Sequence, residues 1–283
     1  MSHRGKCTAP FSNTPPYRIV EKRAMTPNVK MLEVEAEAVS KRGKPGQFVI
    51  VRVNERGERI PMTLGGTHPD EGTLTLYVAE VGASSQELGA LRVGDSILNL
   101  SGPLGNPTEV RGYGDVLCVA NGVFVGAHLF LVKALREEGN RVVSVIGART
   151  PDQLFMVDEV REASDEALVA EDGEGFGLLR GLLAERRFDH VFTIGSTSMQ
   201  RFVSDLTRPS GTPTTVSLFP IMVDGTGMCG ACRVTVGGHT RFACVNGPDF
   251  DGHSVDFDEL VSRMRYYTPQ EKIAMVLRER GVS

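Results

Sequence analysis

Between residue 17 and about residue 110, short runs of apolar or alternating apolar and polar residues recur between turn signals. Residues 17–20, 29–36, 46–53, 73–81 and 96–100 each read as a strand, because a period of two puts alternate side chains on one face of a pleated ribbon. Glycine- and proline-bearing stretches at 42–46, 54–57 and 69–72 separate them. Residues 84–91 are the one helical candidate in this region. Strands at this spacing predict a closed antiparallel β-barrel or a sandwich.

After Gly114 the pattern changes to strands alternating with helices. Strands are expected at 115–120, 141–147, 167–170, 190–195 and 214–219, with helices at 126–138, 151–163, 178–186 and 198–206. This alternation predicts a doubly wound α/β unit on a parallel sheet, with ligands at the carboxyl ends of its strands. Residues 220–254 are dense in Gly and Cys, with a hairpin expected at Gly237-Gly238. The stretch 256–280 is helical and amphipathic, with a break at Thr268-Pro269. The expected division is a flexible tail at 1–16, a barrel domain at 17–113, an α/β domain at 114–219 and a small C-terminal module at 220–283.

Composition narrows the function classes. The 283 residues carry 31 Lys+Arg against 35 Asp+Glu, a net charge of −4 that argues against a nucleic-acid surface. The longest apolar run, 116–132, is broken by Asn121 and His128 and is too short to span a bilayer, so no membrane role is expected. Five cysteines are too few for a disulfide scaffold, and an odd number suits a reducing, cytoplasmic setting. Glycine, at 32 residues, is in excess and collects in particular loops.

The sharpest chemical signal is the stretch 222–233, which holds Cys229 and Cys232 in a C-x-x-C turn, with Cys244 following across the hairpin. A C-x-x-C turn lets two sulfurs converge on one metal, and iron–sulfur clusters take four ligands, usually thiolates. No fourth cysteine is near, since Cys118 falls on a sheet strand and Cys7 in the tail. Asp224 stands in the same glycine-rich loop and can complete the set. Ligand softness favours an iron–sulfur cluster; a zinc knuckle with the same four ligands is the alternative. A second signal is Arg59-Ile-Pro-Met-Thr, expected at the end of a barrel strand. There Arg59 and Thr63 can face a ligand, and Pro61 keeps the strand open rather than paired. Gly82, Ser84 and Ser85 start the short helix, where amides and hydroxyls suit a pyrophosphate; ordinary capping accounts for one of the two serines. No residue stands out as an acid–base catalyst. His68, His128, His190, His239 and His253 have no partner pattern and read as surface or cap residues.

Together these strings resemble the ferredoxin–NADP reductase superfamily over nearly the whole chain. The strings 45–49, 59–63, 102–105 and 222–232 stand where the family has its own versions. Within it the chain is similar to the small FAD- and 2Fe–2S-carrying subunits of NADH-dependent ferredoxin–NADP oxidoreductases of the sulfide dehydrogenase type. It is also similar to the electron-transfer subunits of dihydroorotate dehydrogenase; Asp224 at the first ligand position favours the former branch. The resemblance implies FAD against the barrel at Arg59, Pro61 and Thr63, its pyrophosphate at Gly82, Ser84 and Ser85, and a cluster on Asp224, Cys229, Cys232 and Cys244. It further implies a larger oxidoreductase subunit, or a ferredoxin, as electron partner.

The chain departs from that family where nicotinamide binds. The turn expected to be glycine-rich reads Ala120-Asn-Gly-Val-Phe-Val-Gly-Ala127, with Phe124 where backbone should approach phosphate. A Gly-Pro signature appears as Gly195-Ser196, while Arg149 survives as a candidate for a ribose phosphate. Nicotinamide binding is therefore expected to be weakened or lost. The alternatives are a subunit that oxidises NAD(P)H through a variant loop, and a non-redox, zinc-containing scaffold.

Overall fold

The structure, a computed structural model, describes residues 17–170 and 175–279. The expected tail, with Cys7, lies outside the described residues. The first unit holds β1 (Ile19–Thr26), β2 (Val29–Glu35), α1 (Glu37–Ser40), β3 (Phe48–Arg52), β4 (Ile60–His68), β5 (Thr73–Ala79), α2 (Ala83–Ala90) and β6 (Asn99–Leu104). The strands run β1-β2-β5-β4-β3-β6, all antiparallel. A bridge between Arg18 and Ser96 ties the β1 edge to the chain entering β6, which closes the sheet into a barrel. Alternation sorts the side chains of β3: Val49 and Val51 fill the barrel with Leu32, Leu64 and Leu76, while Phe48 and Ile50 face out into a separate core.

The second unit comprises β7 (Asp115–Asn121), α3 (Val125–Glu137), β8 (Arg141–Gly147), α4 (Val157–Ala163), β9 (Glu166–Ala170), α5 (Phe176–Glu185), β10 (His190–Ile194), α6 (Thr197–Thr207) and β11 (Thr214–Ser217). Then follow β12 (Arg233–Val236), β13 (His239–Phe242), α7 (Ala243–Asn246), β14 (Asp249–Asp251), α8 (Phe257–Met264) and α9 (Thr268–Glu279). The second sheet is ordered β14-β11-β10-β7-β8-β9, parallel except for β14 at its edge. Chain order reverses between β7 and β10, which makes their carboxyl ends the switch-point crevice. The β12–β13 hairpin turns at Gly237-Gly238 as expected. Among the described residues, no helix is long and apolar enough to cross a membrane.

Several expectations need correction. Arg59-Ile-Pro-Met-Thr opens strand β4 rather than ending one. The helix expected at 151–163 is split: a single turn at Pro151–Gln153 is separated from α4 by Met156, whose φ of 56° takes the backbone out of the right-handed helix. The expected break at Thr268-Pro269 is present: α8 ends at Met264 and α9 starts at Thr268, with proline tolerated in its first turn. His128 is no surface residue. It is buried in α3, where its Nε2 meets the Ser144 hydroxyl at 3.1 Å, and burial pushes its pKa down to about 3.

The two units meet on Tyr77 of β5. A Cβ on Gly126 of α3 would fall 2.1 Å from this ring, and one on Gly65 of β4 would fall 2.5 Å from it. Gly126 is therefore a packing glycine between barrel and helix, not a phosphate-binding one. Asp249 of β14 adds a second tie. Partly buried, it accepts a hydrogen bond from Thr108 at 2.5 Å, just beyond the barrel, and another from Ser217 of β11.

Candidate functional site: a cysteine loop on the flavin-type barrel

Antiparallel register places the two expected cofactor regions one strand apart. Phe48 pairs with Thr63 and Ile50 with Pro61 across β3 and β4, and neighbouring strands lie about 4.8 Å apart. Opposed residues share a face, so Thr63 and Pro61 stand on the same outer face as Phe48 and Ile50. On that face Phe48 and Ile50 pack against Met222, Cys232, Ala243 and Cys244.

Pro61 is paired on one side and open on the other, which corrects the expectation of an unpaired strand. The Leu64 N–H donates to the Gln47 carbonyl, and alternation then points the Pro61 nitrogen away from β3. Pairing with β5 begins only at Leu64, so residues 60–63 have an open edge on that side. Arg59 is exposed at its start, so a cation stands beside the open edge.

The helix expected to hold a pyrophosphate is already partly engaged. The Ser85 hydroxyl accepts from Gly82 N–H at 2.9 Å and Val81 N–H at 3.1 Å, so Ser85 is the capping serine. The Ser84 hydroxyl donates to Glu58 at 3.2 Å, which ties α2 to the residue before Arg59. Gly82 faces open space, with only Ser85 Oγ as near as 4.0 Å to its ideal Cβ.

In the cysteine loop, the Cys232 and Cys244 sulfurs lie 3.2 Å apart, both buried, with no disulfide. Burial, with the Cys232 sulfur beside it, raises the Cys244 pKa to about 12. Cys229 is exposed. The Asp224 carboxylate accepts from Thr226 N–H at 2.8 Å and Cys229 N–H at 2.6 Å. Burial opposes its ionisation, but these N–H donors outweigh that and hold its pKa below the usual carboxylate range. Two of the four expected ligands thus converge; among the described residues, no three His, Cys, Asp or Glu side chains gather as a ready metal site. The donor set still fits an iron–sulfur group: soft sulfurs at the buried end, and loop backbone turned by Gly225, Gly227 and Gly230, all at positive φ. Cys118 lies apart, fully buried on β7, where desolvation drives its pKa up.

The nicotinamide-type crevice shows what the sequence reading missed. Phe124, expected to block phosphate, stacks on Phe219 with ring centroids 5.6 Å apart. The residue reaching across the crevice is Asn121, the last of β7. Its Oδ1 accepts from Ser196 N–H at 2.8 Å, and its Nδ2 donates to Ser196 Oγ at 3.0 Å. Neither residue type advertises this in one dimension, because the pairing joins the ends of two strands 75 positions apart.

An antiparallel barrel joined to a doubly wound sheet, with a C-terminal cysteine loop against the barrel, defines a ferredoxin reductase-like electron-transfer protein. Residues 220–256 match the iron–sulfur cluster binding domain of dihydroorotate dehydrogenase B. The chain is 47% identical over 262 residues to the dihydroorotate dehydrogenase B (NAD(+)) electron transfer subunit homolog of Thermotoga maritima, covering 90% of this chain and 93% of that one. It is 32% identical over 242 residues to the probable electron transfer subunit from Methanopyrus kandleri, covering 83% and 89%. A solved structure of NADH-dependent reduced ferredoxin-NADP oxidoreductase superposes with a TM-score of 0.88 at 45% identity, covering 94% of this chain and 98% of that one. The cytochrome b5 reductase domain of Ulva prolifera nitrate reductase shares the fold at 16% identity and a TM-score of 0.57, covering 72% and 96%. The chain belongs to the family of dihydroorotate dehydrogenase B electron-transfer subunits. The fold class and the oxidoreductase subunit class expected from sequence both stand.

Proposed function

We propose that this chain carries FAD and a 2Fe–2S cluster and exchanges electrons with a larger oxidoreductase subunit. The observation that carries the reading is the register of Phe48 with Thr63 and Ile50 with Pro61. It sets the cysteine core directly beside the open edge of β4, so electrons need cross little more than one strand. Arg59, Pro61 and Thr63 hold the flavin, with its pyrophosphate at Gly82 and Ser84 and with Ser85 fixing the helix start. Asp224, Cys229, Cys232 and Cys244 hold the cluster. Flavin supplies two-electron chemistry and the cluster single-electron exchange. The chain's own residues bind, orient and exclude water: Phe48, Ile50 and Met222 keep the Cys232–Cys244 end dry, while Cys229 stands at the exposed end that faces a partner.

In this reading nicotinamide binding is weakened or lost, the setting is cytoplasmic, and a ferredoxin is the alternative partner to a catalytic subunit. The experiment is anaerobic isolation of the native complex with identification of co-purifying subunits. A larger flavoprotein or iron–sulfur subunit supports the proposal. A chain that purifies alone, colourless and with zinc, overturns it.

A further inference from the structure

A cavity lies between the barrel and the second sheet, and Thr63 of β4 forms part of its wall. Thr193 of β10, Ser217 of β11 and Thr108 in the chain after β6 supply its other hydroxyls. The void is about 10 Å³, close to what one water molecule requires when polar groups surround it. Thr193 is 2% exposed and its Oγ1 has no hydrogen-bond partner, so it can both donate to and accept from such a water. Two other hydroxyls are already engaged on the far side of the wall. Thr108 Oγ1 donates to Asp249 Oδ2 at 2.5 Å, and Ser217 Oγ donates to Asp249 Oδ1. The carboxyl of Asp249 thus stands directly behind the cavity and is reached through either hydroxyl.

Among the residues lining the cavity, His128 is the titratable one, and its Nε2 is held by Ser144 at 3.1 Å. Desolvation keeps that imidazole neutral, with a pKa of about 3. Burial pushes the Asp249 carboxyl above its ordinary value, against the hydrogen bonds from Ser217 and Thr108. Tyr113 is the titratable group that feels the charge of Asp249.

We propose that Asp249 exchanges the flavin's proton with the protein, through Ser217 or Thr108 and across the cavity to Thr63. The inference rests on the proposed placement of the flavin at Thr63. A flavin reduced by two electrons also gains a proton, whereas a 2Fe–2S cluster takes one electron at a time and no proton. When reduced flavin gives its two electrons singly to the cluster, the proton must leave by another route. Asp249 as carboxylate accepts it. The proton enters the cavity, the hydroxyl of Ser217 or Thr108 takes it up while passing its own to the carboxylate, and the carboxylate becomes a carboxyl. Two electrons go to the cluster and one proton to Asp249. The reverse path returns the proton when the flavin is reduced.

The test uses the cofactor-loaded full chain, photoreduced anaerobically and mixed in stopped flow with saturating ferricenium, a one-electron oxidant. Flavin absorbance reports its oxidation across a pH series, with melting temperatures as the folding control. Wild type should oxidise more slowly as pH falls through the Asp249 pKa, because the carboxylate is the accepting form. Asp249→Asn should be slower by about tenfold or more and should lose this acid limb, which a merely structural role would leave in place. The rate and pH profile of wild type in Asp249→Asn overturn the proton path. Thr193→Val removes only the unpartnered hydroxyl. If Asp249→Asn does not fold, slowed oxidation in Thr193→Val supports the path and an unchanged rate overturns it. Thr63→Ala tests the placement separately: flavin affinity and spectrum equal to wild type would overturn the flavin site itself. Unchanged oxidation in Asp249→Asn, with a flavin that does sense Thr63→Ala, overturns the proton path alone.

Discussion

Gly225 of the cysteine loop rests directly on Ile50 of the barrel: a Cβ built on Gly225 would meet Ile50 Cγ1 at 2.8 Å and Leu104 Cδ1 at 2.7 Å. Its φ of +73° adds a backbone conformation that L side chains rarely adopt. Ile50 in turn pairs with Pro61, so this one contact couples the cysteine loop to β4. Gly225→Ala is expected to lift the loop off the barrel. Iron content of the purified variant should fall well below wild type while flavin content is retained, measured by metal analysis and flavin release.

The four proposed ligands, Asp224, Cys229, Cys232 and Cys244, should separate cleanly from Cys118, the remaining described cysteine. Cys232→Ser and Cys244→Ser remove buried sulfurs that meet at 3.2 Å, and each should abolish the cluster absorption. Asp224→Ala should also lose iron, because it removes a proposed ligand and the partner of Cys229 N–H. Cys118→Ser should leave the spectrum unchanged. Loss of the cluster in Cys118→Ser would contradict the assignment.

The junction between barrel and sheet should be intolerant of even one methyl group. Tyr77 fills the space where a side chain on Gly126 would go. Gly126→Ala therefore forces the ring or the helix to move, at a cost of about 1–3 kcal/mol. Urea denaturation of the cofactor-loaded protein measures this as a lowered midpoint.

His128 predicts acid sensitivity of a defined sign. Its pKa is lowered from 6.5 to about 3 by burial in the folded chain. The unfolded chain takes up a proton below about pH 6.5 that the folded chain refuses, so this stabilisation is present above 6.5 and is lost as pH falls toward 3. Within that window the loss approaches about 1.4 kcal/mol per pH unit. Denaturation midpoints between pH 7 and pH 4 should fall more steeply for wild type than for His128→Gln.

Asp249 predicts the opposite trend. Burial raises its pKa from 3.8, against the hydrogen bonds from Ser217 and Thr108. A raised folded-state pKa gives stability that is present below 3.8 and is lost as pH climbs through the folded value. Asp249→Asn should remove this component, and a smaller difference between midpoints at acidic and neutral pH is its signature.

Much of this architecture was legible in one dimension. The apolar run of Phe48–Arg52 marks a strand and the strand–helix alternation after Gly114 follows from periodicity, and the C-x-x-C turn announces itself by spacing. Other features depend on which strands become neighbours. Pro61 seemed to demand an unpaired strand, yet register lets its nitrogen face the open side while β3 pairs on the other. Gly126 passed for a remnant of a phosphate turn because nothing in the sequence shows Tyr77 above it. Phe124 drew attention by its bulk, whereas Asn121 pairs with Ser196, which only the sheet order brings beside it.

The most direct measurement is the visible spectrum of anaerobically purified protein, with flavin, iron and zinc quantified on the same sample. Flavin absorption overlaid by broad cluster bands is expected, with iron and flavin in a ratio of about two to one. A colourless preparation containing zinc and no flavin would contradict the account at its centre.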